Sequence, residues 1–197
     1  MRILIIGAHG TIGREIVRAL TGEHEILSAS RNDSELRVDI TDPASIRAMY
    51  EKAGRLDAVI SAAGSGAWKP LAELTDDDFA LSLRYKLMGQ VNLVRYGFAH
   101  VNDGGSITTT SGILSRSPMP DSAAISLVNA GLEGFTRAAA LEAPRGIRVN
   151  VVSPPWVTET LVAMGSTDLS HGLPAATVAQ AYVRSVMGNE TGVMIEP

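Results

Sequence analysis

Short, largely apolar runs recur along this chain, with helical patterns between them. The runs are Arg2–Ile6, Glu25–Ala29, Leu56–Ser61, Ser106–Thr110 and Ile147–Val152, with weaker ones at Leu36–Ile40 and Gly192–Ile195. A strand covered on both faces reads as a continuous apolar run, whereas a half-exposed strand alternates. Helical patterns lie between them. Ile12, Ile16, Val17 and Leu20 make one stripe. Asp42 then Pro43 reads as a cap and first-turn proline for a helix through Tyr50. Thr75-Asp-Asp-Asp78 resembles a capping box opening a long helix to about Ala99. A second long helix is predicted from Ala123 to Leu141, and Pro174 opens a last one ending near Gly188. Strand–helix alternation throughout implies right-handed crossovers. The predicted fold is therefore α/β, a doubly wound, mainly seven-stranded parallel sheet with helices on both faces.

Composition bounds what such a sheet can serve. At 197 residues, 45% hydrophobic and 19% charged, the chain fits one globular domain spanning 1–197. A net charge of −4 without any basic run argues against nucleic acid or an anionic membrane as partner. No apolar stretch approaches the 18 or more residues of a spanning helix. With no cysteine, disulfides, thiolate metal sites and a cysteine nucleophile are excluded, which fits a cytoplasmic chain. No metal site is expected, because His9 has no second His, Asp or Glu at ligand spacing.

Open α/β sheets bind ligands beyond the carboxyl ends of their strands, so the residues just after each strand carry the functional argument. After the first comes Gly7-Ala-His9-Gly10-Thr11-Ile12-Gly13, opening a helix. Glycines there permit a tight turn and a close pyrophosphate, while the helix N-terminus offers free N–H groups. After the second strand, Ser30 and Arg31 favour the 2′-phosphate of NADP (NADPH). Asp33, two residues on, is the reading for NAD.

From these landmarks the sequence resembles the short-chain dehydrogenase/reductase family over nearly its full length. Gly7 to Gly13 is similar to its glycine loop, in the spacing of atypical members. Val38-Asp39-Ile40-Thr41 resembles the stretch whose Asp meets the adenine, and Ser61-Ala62-Ala63-Gly64 its Asn-Asn-Ala-Gly. Gly105-Ser-Ile, Leu132-Glu-Gly-Phe135 and Val149-Asn-Val-Val-Ser-Pro154 resemble its fifth strand, following helix and sixth strand. The resemblance implies cofactor contacts at Asp39, Ile40, Ala62, Ala63, Gly64, Pro154 and Val157 as well. It also implies hydride transfer between NAD(P)H and a small carbonyl or alcohol substrate.

The family's catalytic set is replaced. Alignment on Leu132-Glu-Gly-Phe135 puts Ile125 at the Tyr place and Asn129 at the Lys place; Gly112 stands at the Ser place, beside Ser111. Lys86 occupies the place of the helix Asn, and Pro155 that of a turn Gly. Isoleucine has no proton to exchange, and losing a positioned acid typically costs about 10²–10⁴ in rate. A non-standard set then comprises Ser111 as hydrogen-bond donor, Lys86 as acid or carboxylate binder, and Asn129 toward the ribose. Lys86 and Ser111 each have a plain structural alternative, a solvated lysine and a strand-end serine; Asn129 cannot supply a charge. Trp68 and Trp156 either wall an apolar pocket or anchor packing. Three functions stay open: an NADP-dependent oxidoreductase, an NADPH-binding sensor or partner-binding subunit without turnover, and a non-redox enzyme reusing the pocket. In the resembled family the two long helices pair between subunits, so a homodimer or homotetramer is expected.

Overall fold

The computed structural model describes residues 1–32 and 34–197. In chain order the elements are β1 (Arg2–Ile6), α1 (Thr11–Leu20), β2 (Glu25–Ser30), β3 (Leu36–Arg37), α2 (Pro43–Ala53) and β4 (Leu56–Ser61). There follow α3 (Asp76–Ser82), a π-helical turn (Leu83–Met88), α4 (Gly89–Gly97), β5 (Val101–Thr110) and α5 (Ala123–Glu142). The chain closes with β6 (Arg148–Val152), β7 (Trp156–Val157), α6 (Thr158–Ala163), β8 (Gly172–Leu173), α7 (Ala175–Met187) and β9 (Met194–Ile195).

Seven strands form one parallel sheet in the order β3-β2-β1-β4-β5-β6-β9. Along β1 the side chains alternate between two cores, which explains its unbroken apolar run. Leu4 and Ile6 pack with Ile46, Met49 and Tyr50 of α2 on one face. Ile3 and Ile5 pack with Ile16 of α1 and Val178 and Tyr182 of α7 on the other. All four β1 residues are essentially inaccessible, each contributing roughly 1.5–3 kcal/mol by burial. The strand order reverses between β1 and β4, opening a crevice at their carboxyl ends.

Two local expectations are corrected. The predicted strand Leu36–Ile40 stops at Arg37, because Asp39 turns back and accepts from the Thr41 N–H (2.9 Å) and hydroxyl (2.8 Å). The long helix from Thr75 begins with its capping box intact, the Asp78 N–H and Thr75 Oγ1 bonded at 3.2 Å, but breaks into a π-turn at Leu83. After Pro155 the chain forms the two-stranded β7–β8 pair around α6.

Candidate functional site

Backbone geometry builds the phosphate end of the crevice. Gly7 leaves β1 with φ +83°, and a Cβ there would meet the Ala62 backbone at 3.0 Å. Gly10 caps α1 without any side-chain hydrogen bond, and the first turn holds no acidic residue. Thr11, Ile12 and Gly13 therefore present unclaimed N–H groups at a positive dipole end, the chemistry that holds a pyrophosphate. Ala62 is fixed across from them, its N–H donating to Ile6 O at 2.9 Å.

Beside this turn lies a cavity of about 410 Å³ at the point where strand order reverses. Ile6 and Gly7, Ser30 and Arg31, Val38 to Ile40, and Ala63 and Gly64 line it, with Tyr85 closing one side. Arg31 holds its guanidinium 5.7 Å from the Tyr85 ring centroid. His9 Nε2 lies 2.9 Å from Ser34 Oγ, which donates to Ser30 Oγ at 2.8 Å. A chain of one imidazole and two hydroxyls thus reaches Ser30 at the cavity, while the neighbouring Arg31 guanidinium stands over Tyr85. Asp39 stays ionised, because hydrogen bonds from Thr41 hold its carboxyl below the usual range. Asp33 lies outside the described residues. Among the described residues no group of three His, Asp or Glu could hold a metal ion.

Farther along the crevice, at the end of β5, the three expected catalytic positions meet. The π-turn carries Lys86 inward, 9% exposed, where Nζ donates to Ser111 O at 3.1 Å. Such π-turns often mark functional sites. Burial holds its ammonium down at about 8. Among the described residues no carboxylate forms an ion pair with it. Ser111 meets a different geometry from the one expected. Its hydroxyl donates to Glu133 Oε1 at 3.0 Å, so its carbonyl rather than its hydroxyl addresses Lys86. Asn129 donates Nδ2 to Gly112 O at 3.3 Å, and among the described residues its buried Oδ1 has no partner.

The altered positions explain one another sterically. A Cβ on Gly112 would lie 3.0 Å from Asn129 Nδ2, so the asparagine fills the space of the missing serine. Ile125 packs against Gly66, whose Cβ would sit 3.3 Å from it. Pro154 accepts from the Ile113 N–H at 2.9 Å, tying the β6 loop to the end of β5. Val157 is buried in the second core, leaving its backbone as the part able to meet a ligand.

Sequence reasoning missed Glu133 and Gln90. Glu133, 7% exposed, also accepts from Ser115 Oγ at 2.6 Å and lies 3.5 Å from Arg116 Nη1. Its signal was a carboxylate one turn after Asn129 on the buried face of α5. Gln90 clamps the end of β5, donating Nε2 to Thr110 O and accepting from the Thr110 N–H, both at 2.8 Å. Its signal was a polar residue one turn after Lys86.

The sheet order, the uncapped glycine turn and the cavity at the switch point define a dinucleotide-binding α/β protein. A family model described as Enoyl-(Acyl carrier protein) reductase matches residues 10–193. The chain belongs to the short-chain dehydrogenase/reductase family of oxidoreductases. It is 27% identical over 179 residues to a hydroxynaphthalene reductase-like protein Arp2 of Metarhizium brunneum, covering 78% of this chain and 67% of that one. It is 31% identical over 137 residues to the hydroxynaphthalene reductase arp2 of Aspergillus fumigatus, covering 67% and 50%. The chain thus spans about half to two thirds of the length of these relatives. Among solved structures, the protein lin1944 from Listeria innocua is 40% identical with a TM-score of 0.96, covering 100% and 98%. A small-chain dehydrogenase in complex with NADPH is 27% identical with a TM-score of 0.90, covering 100% and 96%.

Proposed function

We propose that this protein is an NADPH-dependent reductase of small carbonyl compounds in which Lys86 replaces the family's tyrosine as proton donor. The observation that carries this reading is the buried Lys86 ammonium, held on the Ser111 carbonyl and unpaired by any carboxylate among the described residues. Buried charges are normally paired, so this one is kept for a partner that arrives with the ligand.

The residues present fit a nicotinamide dinucleotide. The N–H groups of Thr11 to Gly13 would hold the diphosphate, with Gly7 keeping the backbone close. Arg31, Ser30 and His9 would take the 2′-phosphate, which favours NADP over NAD. Asp39, Ile40, Ala63 and Gly64 would receive the adenine side, and the backbone after Pro154, to Val157, the nicotinamide side. When bound, the cofactor supplies a hydride to the carbonyl carbon. The carbonyl π pair then moves onto oxygen, and Lys86 Nζ supplies the proton that makes the alcohol. Asn129 keeps a buried carbonyl, Oδ1, free to accept a hydroxyl hydrogen. Glu133 fixes the strand end through Ser111 and Ser115, so the Ser111 carbonyl stays under Lys86. The small-molecule substrate enters from the side of the loops after β4 and β6.

NADPH absorbance over a panel of ketones and aldehydes tests this directly. Turnover is expected, with Lys86→Ala lowering it by at least about tenfold. Arg31→Ala should weaken NADPH far more than NADH. NADPH that binds and stays unconsumed with every compound overturns the reductase reading and leaves a nucleotide-binding protein.

A further inference from the structure

Two indoles meet above the end of β5. Trp68 lies in the loop after β4, and Trp156 opens β7 just after β6. Their ring centroids are 5.7 Å apart with planes at 69°, an edge-to-face contact. β4 and β6 flank β5 in the sheet, so the contact spans the strand end that carries the Ser111 carbonyl and the Lys86 ammonium. Both loops are tied down. The Ala67 N–H donates to Ser82 Oγ at 2.8 Å, and the Lys69 N–H to Asp121 O at 3.1 Å. Trp156 pairs with Gly172 across β7 and β8.

A packing anchor would place its indole in a core, and neither ring is in one. Trp68 is 36% exposed, and the residue that β7 turns inward is Val157, at 6%. Among the described residues no cation stacks on either indole, whereas Tyr85 and Tyr96 are both covered by arginines. These are the chain's only two tryptophans. In an edge-to-face pair, the ring that offers its edge keeps its own faces free for a third flat ring. Aromatic pairs prefer such offset or edge geometries and gain from them beyond simple area burial.

We propose that Trp68 and Trp156 form an aromatic clamp that selects substrates bearing a flat, conjugated ring next to the reducible carbonyl. The ring lies against an indole, and the carbonyl oxygen points to Lys86 Nζ. This names the substrate class of the reductase proposed above and rests on that reading. A saturated ring of equal carbon count is puckered, so it meets an indole face over less area and offers no π-system.

Calorimetry separates the two cases with acetophenone and cyclohexyl methyl ketone, which share one carbon skeleton. The protein is first saturated with NADP⁺, and heat from that step measures cofactor binding by itself. Oxidised cofactor cannot reduce a ketone, so each titration reports binding alone. Acetophenone should bind roughly tenfold more tightly than its saturated counterpart. Trp68→Leu and Trp156→Leu should each cut that preference to about threefold or less, while Trp68→Phe and Trp156→Phe keep most of it. Equal binding of the two ketones by the wild-type protein, no heat from either, or a preference unchanged in both leucine variants overturns the clamp. Preferential binding of acetophenone without NADPH consumption in the separate absorbance assay sustains the clamp and sinks the reductase.

Discussion

In the reductase proposed above, Lys86 combines a stability cost with a chemical use. Its pKa lies at about 8, below the ordinary lysine value, because burial disfavours the ammonium. Folding the chain with Lys86 charged therefore costs roughly 3 kcal/mol, offset in part by the bond to Ser111 O. The sign follows from proton counting. Below about pH 8 the cost is present in full, and it fades as pH rises toward the ordinary lysine value. Lys86→Met should accordingly raise the melting temperature by a few degrees at pH 7, with the gain shrinking by pH 10. The same variant should lose at least tenfold in ketone reduction. In the wild-type enzyme the rate of reduction should be level below about pH 8 and fall above it, as the proton donor empties. A melting temperature lowered by Lys86→Met at pH 7, or a rate that climbs through pH 8, would contradict this assignment.

At the scale of elements, the end of β5 is a joint between the π-turn and α5. Gln90 grips Thr110, Lys86 caps Ser111 O, and Asn129 and Glu133 of α5 hold Gly112 and Ser111 from the other side. Gly112 and Asn129 share one volume. Gly112→Ser should therefore destabilise the protein by about 1–3 kcal/mol in chemical denaturation. Adding Asn129→Ala should recover most of that loss; additive losses would show the two positions to be independent. Much of this architecture could be read from the chain. The doubly buried run of β1, the Asp42–Pro43 start of α2 and the Thr75 box of α3 each carry their own local signal. The π-turn does not, because Leu83 to Met88 has the same local pattern of residues in either helical winding. β3 ended early because Asp39 prefers its bonds to Thr41 over the ladder. Glu133 carried only a weak signal: a carboxylate on a helix is ordinarily solvated, and its helical spacing from Asn129 gains meaning only with the three-dimensional gathering of Ser111, Ser115 and Arg116.

Over the whole molecule, the face built from α5 and the π-turn leaves large apolar side chains in water. Leu127 is 50% exposed, and Leu83 and Met88 are also exposed. Apolar side chains gathered on one face commonly mark an interface, and two copies of the chain are expected to pair there. Light scattering should give a mass two or four times that of one chain, and Leu127→Asp should lower it. A single-chain mass for the unaltered protein would refute the pairing. No helix among the described residues is long and apolar enough to cross a membrane.

The contact between Gly66 and Ile125 bears on how this active centre could ever revert. A phenol at position 125 is larger than the isoleucine that packs against Gly66, and turned toward that glycine it would press on the loop that holds Trp68. Position 129 is likewise locked to 112. Reinstating the family's usual tetrad one substitution at a time therefore passes through misfitted intermediates. The departure from the family's usual residues is held in place by shape as well as by their identity.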